Sequence, residues 1–158
     1  INRIAANEAE RLNYLLRHKS VICTIEADQE YKTGVRPELL KMALGNLIKN
    51  AFQYTDEGEV VITIDSNKIT VTDTGLGIAE EMMPLLYQRF ERLQPKSLET
   101  QTQAISLSKV AAKEDTMNKV EGTGLGLSIV QRIMTHMDWE LIHQANATGG
   151  STFIIRYH

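Results

Sequence analysis

The chain has 158 residues, 42% of them apolar and 23% charged, with a formal net charge of −3. That length suits one domain with a real core, and the charge gives no bulk electrostatic reason to expect nucleic acid. The single cysteine, Cys23, excludes an internal disulfide and a cysteine-based zinc site, and no apolar run approaches the roughly 18 residues of a membrane span.

Ile1 opens inside a helical pattern, so the sequence reads as a piece of a longer protein. Residues 3–17 place Ile4, Ala5, Leu12, Leu15 and Leu16 near one face and predict an amphipathic helix. Residues 20–26 are rich in β-branched side chains and predict a strand, with a short second strand at 31–35. Pro37 suits the first position of a helix, where its missing N–H is not needed. From there to Tyr54, Leu40, Ala43, Leu44, Leu47, Ile48, Ala51 and Phe52 recur at helical spacing. Gly45 weakens that helix, by up to about 1 kcal/mol relative to Ala. Residues 55–58 read as a turn. Two short β-rich runs, 59–64 and 68–73, follow and predict an antiparallel hairpin.

Residues 80–90 read as helical. Residues 91–121 hold lysines, Gln, Thr and Ser with few large apolar side chains, and only a weak helical stripe at 103–114. So long a stretch without a core element predicts a functional or disordered segment. Residues 124–137 predict a strong helix with Ile129, Val130, Ile133, Met134 and Met137 facing inward. Two more strands, 139–145 and 151–157, flank a turn at 146–150. About five strands and three main helices in mixed order predict a two-layer α/β sandwich, one mixed sheet with the helices on a single face.

Three constellations could carry chemistry. Asn46, Asn50 and Gln53 share one side of a helix. Their amide oxygens are hard neutral ligands that suit a Mg²⁺ ion already carrying phosphates and waters. A solvated or capping edge also accounts for them, although Asn is a poor helix former. Asp73, at a strand end, can accept from an exocyclic amine such as adenine's. Gly75 and Gly77 behind it let backbone approach a flat ring or take positive φ. A plain strand-to-helix turn fits that segment too.

The third is Gly122-Thr-Gly-Leu-Gly-Leu, which offers backbone N–H groups and the positive end of a helix to a phosphate chain. It is not a dinucleotide fingerprint, because the sixth position from Gly122 is Leu127 and from Gly124 is Ile129. No Gly-Lys pair occurs in the chain, which excludes a Walker A loop. A glycine-rich helix entry is the simpler alternative. His18, His136, His143 and His158 lack metal-ligand spacing and Ser128 lacks a partner motif, so all five read as structural.

Taken in order, these pieces resemble the catalytic, ATP-binding domain of sensor histidine kinases, in the wider superfamily shared with gyrase and MutL. N-L-I-K-N-A-F-Q-Y-T (46–55) is similar to the N box and D-T-G-L-G-I (73–78) to the G1 box. L-Y-Q-R-F-E-R (86–92) resembles the F box, G-T-G-L-G-L-S-I-V (122–130) the G2 box, and T-G-G-S-T-F (148–153) the closing glycine-rich turn. The F box points to the kinases rather than to their superfamily relatives. The resemblance covers nearly the whole chain. It implies a Bergerat-type fold that binds Mg-ATP and donates the γ-phosphate to a histidine on a separate phosphoacceptor domain. The alternative it leaves is a nucleotide-binding regulatory module without transfer activity.

At matching positions the resemblance implies roles. Asn50 would ligate Mg²⁺ with Asn46 beside it, and Asn46, Asn50 and Arg92 would be the catalytic residues. Asp73 would bind the adenine amine, with Gly75, Gly77 and Ile78 shaping the base site and Tyr54 packing near the base. Phe90 would anchor the hinge of a lid over 91–121, mobile without ligand and ordered by ATP. Gly122, Thr123, Gly124, Leu125, Gly126 and Leu127 would wrap the phosphates, and Arg89 and Arg92 would meet their charge.

There are three departures. Gln53 stands where the family often carries a basic residue. The segment between F and G2 boxes is long. No histidine followed by an acidic residue occurs, so the acceptor helices are expected upstream. The implied setting is two-component signalling: a cytoplasmic domain of a membrane-bound, homodimeric sensor, with a response-regulator receiver domain as partner and no nucleic acid. The fragment itself is expected to be monomeric.

Overall fold

Burial alternates along residues 60–64, 68–73 and 151–155, so successive side chains of these strands face the core and away from it in turn. The structure is a computed structural model and describes residues 1–78 and 125–158. In chain order these form helix α1 (Asn2–Leu12) with a 3-10 turn at Asn13–Leu16, strand β1 (Ser20–Ala27) and helix α2 (Pro37–Tyr54). Strands β2 (Glu57–Ile64) and β3 (Lys68–Asp73), helix α3 (Leu125–Met137), and strands β4 (Glu140–Ala145) and β5 (Ser151–Arg156) follow. The five strands make one sheet in the order β1-β2-β3-β5-β4. β1 and β2 are parallel and the other pairs antiparallel. A parallel pair needs a long crossover, and α2 supplies it.

The predicted mixed sheet with helices on one face is the fold observed. Val60, Ile62, Ile64, Ile69, Val71, Phe153 and Ile155 point inward from the strands. They meet Leu40, Leu44, Leu47, Ile48 and Phe52 of α2 and Val130 and Met134 of α3. α2 is the central helix, packed between α1 and α3. Its register therefore decides which of its side chains are left at the rim between helices.

Two expectations need correction. Residues 31–35 form no strand. The Tyr31 N–H is taken by Asn2 Oδ1 at 2.9 Å, so the segment is tied to the start of α1 rather than to a sheet edge. β2 starts at Glu57, inside the stretch expected to be a turn. Gly58 has φ +111°, and a β-carbon there would collide with the Thr74 hydroxyl; the glycine pairs with Val21 of β1 and so belongs to the strand rather than to a free loop. The helix expected at 80–90 and the segment 91–121 lie outside the described residues.

Candidate nucleotide site

The site is built where α2 ends. After Tyr54 the chain turns extended at Thr55, with φ −110° and ψ 120°. A helix C-terminus leaves carbonyls unpaired and partly negative. Lys19 caps them: its Nζ donates to the carbonyls of Phe52, Gln53 and Thr55 at 2.8, 2.9 and 3.1 Å. The chain then runs out along β2 and returns along β3, so that Asp73 arrives beside the helix end. Leu76 N–H donates to the Tyr54 carbonyl at 3.2 Å. Gly75 sits so close to that carbonyl that a β-carbon could not be accommodated. Gly77 takes φ +70° against Gly149, and Gly150 packs on the Asp73 backbone carbonyl. At these glycines three backbone segments meet without side chains between them.

Asp73 is 6% exposed. Its Oδ1 accepts the N–H of Gly75 at 3.0 Å and that of Ser151 at 3.3 Å. Its Oδ2 receives no donor from the described residues. Burial pushes the carboxyl above the usual carboxylate range, against the opposing pull of those two N–H groups and of nearby His143. The loop after β4 closes the back of the site through Asn146, whose Nδ2 donates to the Asp73 carbonyl at 2.7 Å.

The other end lies between α2 and the start of α3. A β-carbon at Gly126 would stand 2.9 Å from Asn46 Oδ1 and 3.7 Å from Asn50 Oδ1. Two amide oxygens therefore converge on the entrance of α3. Asn46 Nδ2 donates to the Met42 carbonyl at 2.8 Å, which fixes the amide, and its oxygen accepts no hydrogen bond among the described residues. Gln53 is half-buried on the same side of α2, and Tyr54 is 37% exposed at its end. Ile78 and Leu127 pack against the core rim, and Leu125 opens α3. Phe90, Arg89, Arg92, Gly122, Thr123 and Gly124 lie outside the described residues.

Two features bear on what fits here. Thr55 Oγ1 is buried without a hydrogen-bond partner among the described residues, 2.8 Å from where a β-carbon on Gly75 would stand. Such an orphan suits an ordered water bridging to a ligand. Among the described residues no group of three or more His, Cys, Asp or Glu could hold a metal. An ion near Asn46 and Asn50 would rest on neutral amide oxygens and bring most of its own ligands, which is how Mg²⁺ binds with phosphates. Sequence reasoning missed Lys19, Asn146 and His143, because each acts from an element distant in sequence. The Gly-Gly-Ser run gave the only signal, for Gly150 and Ser151.

Residues 35–158 match the family model described as histidine kinase-, DNA gyrase B-, and HSP90-like ATPase. The chain belongs to this family. Among its relatives is the sensor protein EvgS of Escherichia coli (strain K12), 28% identical over 98% of this chain and 12% of EvgS. The sensor protein QseC of Salmonella typhi is 31% identical over 84% of this chain and 25% of QseC. The chain thus spans a quarter or less of these two relatives. Among solved structures, the catalytic domain of histidine kinase ThkA aligns with a TM-score of 0.68 and 20% identity, covering 99% of this chain and 92% of that one. Full-length ShkA in complex with AMPPNP aligns at 0.67 and 20%, over 99% of this chain and 29% of that one. At such identity the structures establish a common fold, that of histidine kinase catalytic domains. The chain is an ATPase-family domain of the sensor histidine kinase kind, and among the described residues no helix is long and apolar enough to cross a membrane.

Proposed function

We propose that the domain binds ATP with Mg²⁺ and presents the γ-phosphate to a histidine on a separate phosphoacceptor domain. The observation that carries this is the state of Asp73: a buried carboxylate with one oxygen held by two backbone N–H groups and the other open to a ligand donor. Oδ2 is the acceptor for the adenine amine, and the backbone at Gly75 and Gly77 forms the wall beside the base. Tyr54, at the end of α2, covers the ring. Gly126 and the first turn of α3 offer N–H groups to the phosphates, supported by the helix dipole.

Asn50, with Asn46 beside it, would hold Mg²⁺, which would neutralise phosphate charge. The chain's work is positioning and charge stabilisation, the usual division in phosphoryl transfer. The nucleophile comes with the acceptor histidine, so the described residues need not supply one. Phe90, Arg89 and Arg92, with the segment 91–121 as lid and Gly122 to Gly124 on the phosphates, complete the reading. Relatives named as sensor proteins support reading the parent as a sensor kinase; on that reading the parent is membrane-bound and homodimeric, this domain is cytoplasmic, and a receiver domain is the downstream partner.

Titration with a fluorescent ATP analogue and Mg²⁺ tests the binding half. Asp73→Asn removes a charged acceptor and should weaken binding by about 10- to 100-fold, the range of one hydrogen bond to a charged group. Equal affinity in both proteins overturns the assignment. Gln53, half-buried and without charge beside the amide oxygens, favours a second reading, a nucleotide-binding module without transfer activity. Radiolabel moving from ATP to a cognate acceptor domain added in trans excludes that second reading.

A further inference from the structure

His143 lies on β4, the outermost strand, yet its ring reaches inward under the base site. It pairs in register with Phe153 of β5 and lies on that ring, with centroids 4.8 Å apart. Its Nε2 is 3.2 Å from Ser151 Oγ, and the backbone N–H of Ser151 donates to Asp73 Oδ1. Ser151 is 3% exposed, and among the described residues its hydroxyl has no partner other than His143. Ser151 therefore links the two groups, its hydroxyl meeting the imidazole and its backbone N–H the carboxylate, from the sheet edge to the floor of the site.

We propose that His143 is a positioning residue of the base site, whose proton state sets the direction of the Ser151 hydroxyl and thereby the purine preference of the pocket. The inference rests on the nucleotide reading above. With the ring neutral and its proton on Nδ1, Nε2 accepts the Ser151 O–H, and the floor presents acceptors only: the Asp73 carboxylate and the Ser151 lone pairs. That pattern suits the 6-amino group of adenine. With the ring protonated, Nε2–H donates to Ser151 Oγ. The Ser151 O–H then turns away from the ring, and one water can carry its hydrogen bond toward Asp73 and the ligand. The floor gains a donor, which competes with the amine for Asp73 and suits a 6-oxo purine instead. One proton is taken up at the ring, and the hydroxyl only rotates.

Burial lowers the His143 pKa, and the Asp73 charge partly restores it. The ring is therefore neutral at pH 8 and becomes charged as pH falls. The surrounding charges are few. α3, packed against β4, carries Arg132 and His136, both exposed. Glu140 points to the other face of β4 and is paired with Arg156 of β5 at 2.9 Å. Asp138, before β4, is exposed.

The test is to titrate the protein with Mg-ATP and Mg-ITP between pH 8 and pH 5, for wild type and for His143→Gln. The wild-type preference for ATP over ITP should fall by about fivefold as the ring takes up its proton, the worth of one hydrogen bond. In His143→Gln that fall should be absent, leaving only the change that Asp73's own protonation brings. The same slope in both proteins overturns the inference while leaving the nucleotide reading intact. No binding of either nucleotide by wild type at any pH overturns both. A second measurement needs no variant: the His143 ring titration followed by NMR. Bound Mg-ATP should lower its midpoint, since linkage is reciprocal. An unmoved midpoint also overturns the inference.

Discussion

The carboxylate of Glu8 occupies the space that a side chain at Gly45 would take. A β-carbon there would stand 2.7 Å from Glu8 Oε2 and 3.3 Å from Arg11 Nη2. Glu8 is 1% exposed, and its charge is met by Arg11 at 2.5 Å and Lys41 at 3.9 Å. Gly45 is thus the position at which α1 and α2 come together over a buried carboxylate whose cationic partners are exposed, and the low helix propensity of glycine is offset by that contact. In an exposed helix Gly→Ala stabilises by about 1 kcal/mol. Here Gly45→Ala must displace a buried carboxylate from its partners and should cost about 1–3 kcal/mol. In a Glu8→Ala background the same change should stabilise, because the space is empty. A urea-unfolding double-mutant cycle reads the difference. Additive effects would show that Glu8 does not hold that space.

Gly75 plays the corresponding part at the site. Its Cα faces the Tyr54 carbonyl and the Thr55 hydroxyl, so Gly75→Ala must push β3's exit away from the end of α2. That moves the Asp73 carboxylate relative to Tyr54. Nucleotide affinity should drop by about tenfold or more, the consequence of 1–3 kcal/mol of overpacking. Gly34→Ala, where nothing lies within 4 Å, is the matched control and should bind as wild type does. Isothermal titration of both variants decides, and equal affinities would remove the close approach from the account.

These positions show what a sequence discloses and what it withholds. The stripe Leu40, Leu44, Leu47 and Ile48, and the alternation through Val60, Ile62 and Ile64, are periodic signals that burial imposes, and they gave the helices and the sheet. Asp73, Asn46 and Asn50 stood out because polar residues interrupt apolar patterns. Lys19 did not, because a surface lysine has no local signature; its role exists only once α2 ends above it. His143 looked like any histidine in a strand, and only the pairing of β4 with β5 sets it beside Ser151. The strand expected at 31–35 failed for the same kind of reason. Tyr31 and Val35 have strand propensity, but Asn2 takes the Tyr31 N–H that a ladder would have used.

Asp73 also links function to stability. Burial raises its pKa in the folded state. A carboxyl whose folded pKa exceeds its unfolded value contributes stability that is fully present below the unfolded pKa, about 3.9, and is lost as pH rises through the folded one. Above that window the ionised group is a net cost to the fold, retained for what it binds. Asp73→Asn should therefore raise the Tm of the nucleotide-free domain at pH 7, and the gain should shrink toward zero as pH falls below about 4. Thermal unfolding of both proteins from pH 3.5 to 7.5 tests this. A variant less stable than wild type at pH 7 would mean that the two N–H bonds to Oδ1 outweigh desolvation.

Lys19 has two kinds of partner, and their exposure separates them. Asp56 is an ion pair at 3.1 Å, but its side chain is 80% exposed. The three carbonyls belong to the buried end of α2, and the Lys19 side chain is itself only 20% exposed. An exposed pair contributes about 0–1 kcal/mol, whereas a charged donor on a helix C-terminus combines the dipole with hydrogen bonds and is worth about 1–3 kcal/mol. Asp56→Ala should thus change stability by less than about 0.5 kcal/mol. Lys19→Met, which keeps the length and removes the charge, should cost about 1–3 kcal/mol. The loss should also be felt at the site, since the carbonyls that Lys19 holds flank Tyr54, whose own carbonyl accepts from Leu76. Amide exchange at Leu76 should quicken in Lys19→Met and stay unchanged in Asp56→Ala. Equal destabilisation by the two substitutions would assign Lys19 to the ion pair instead.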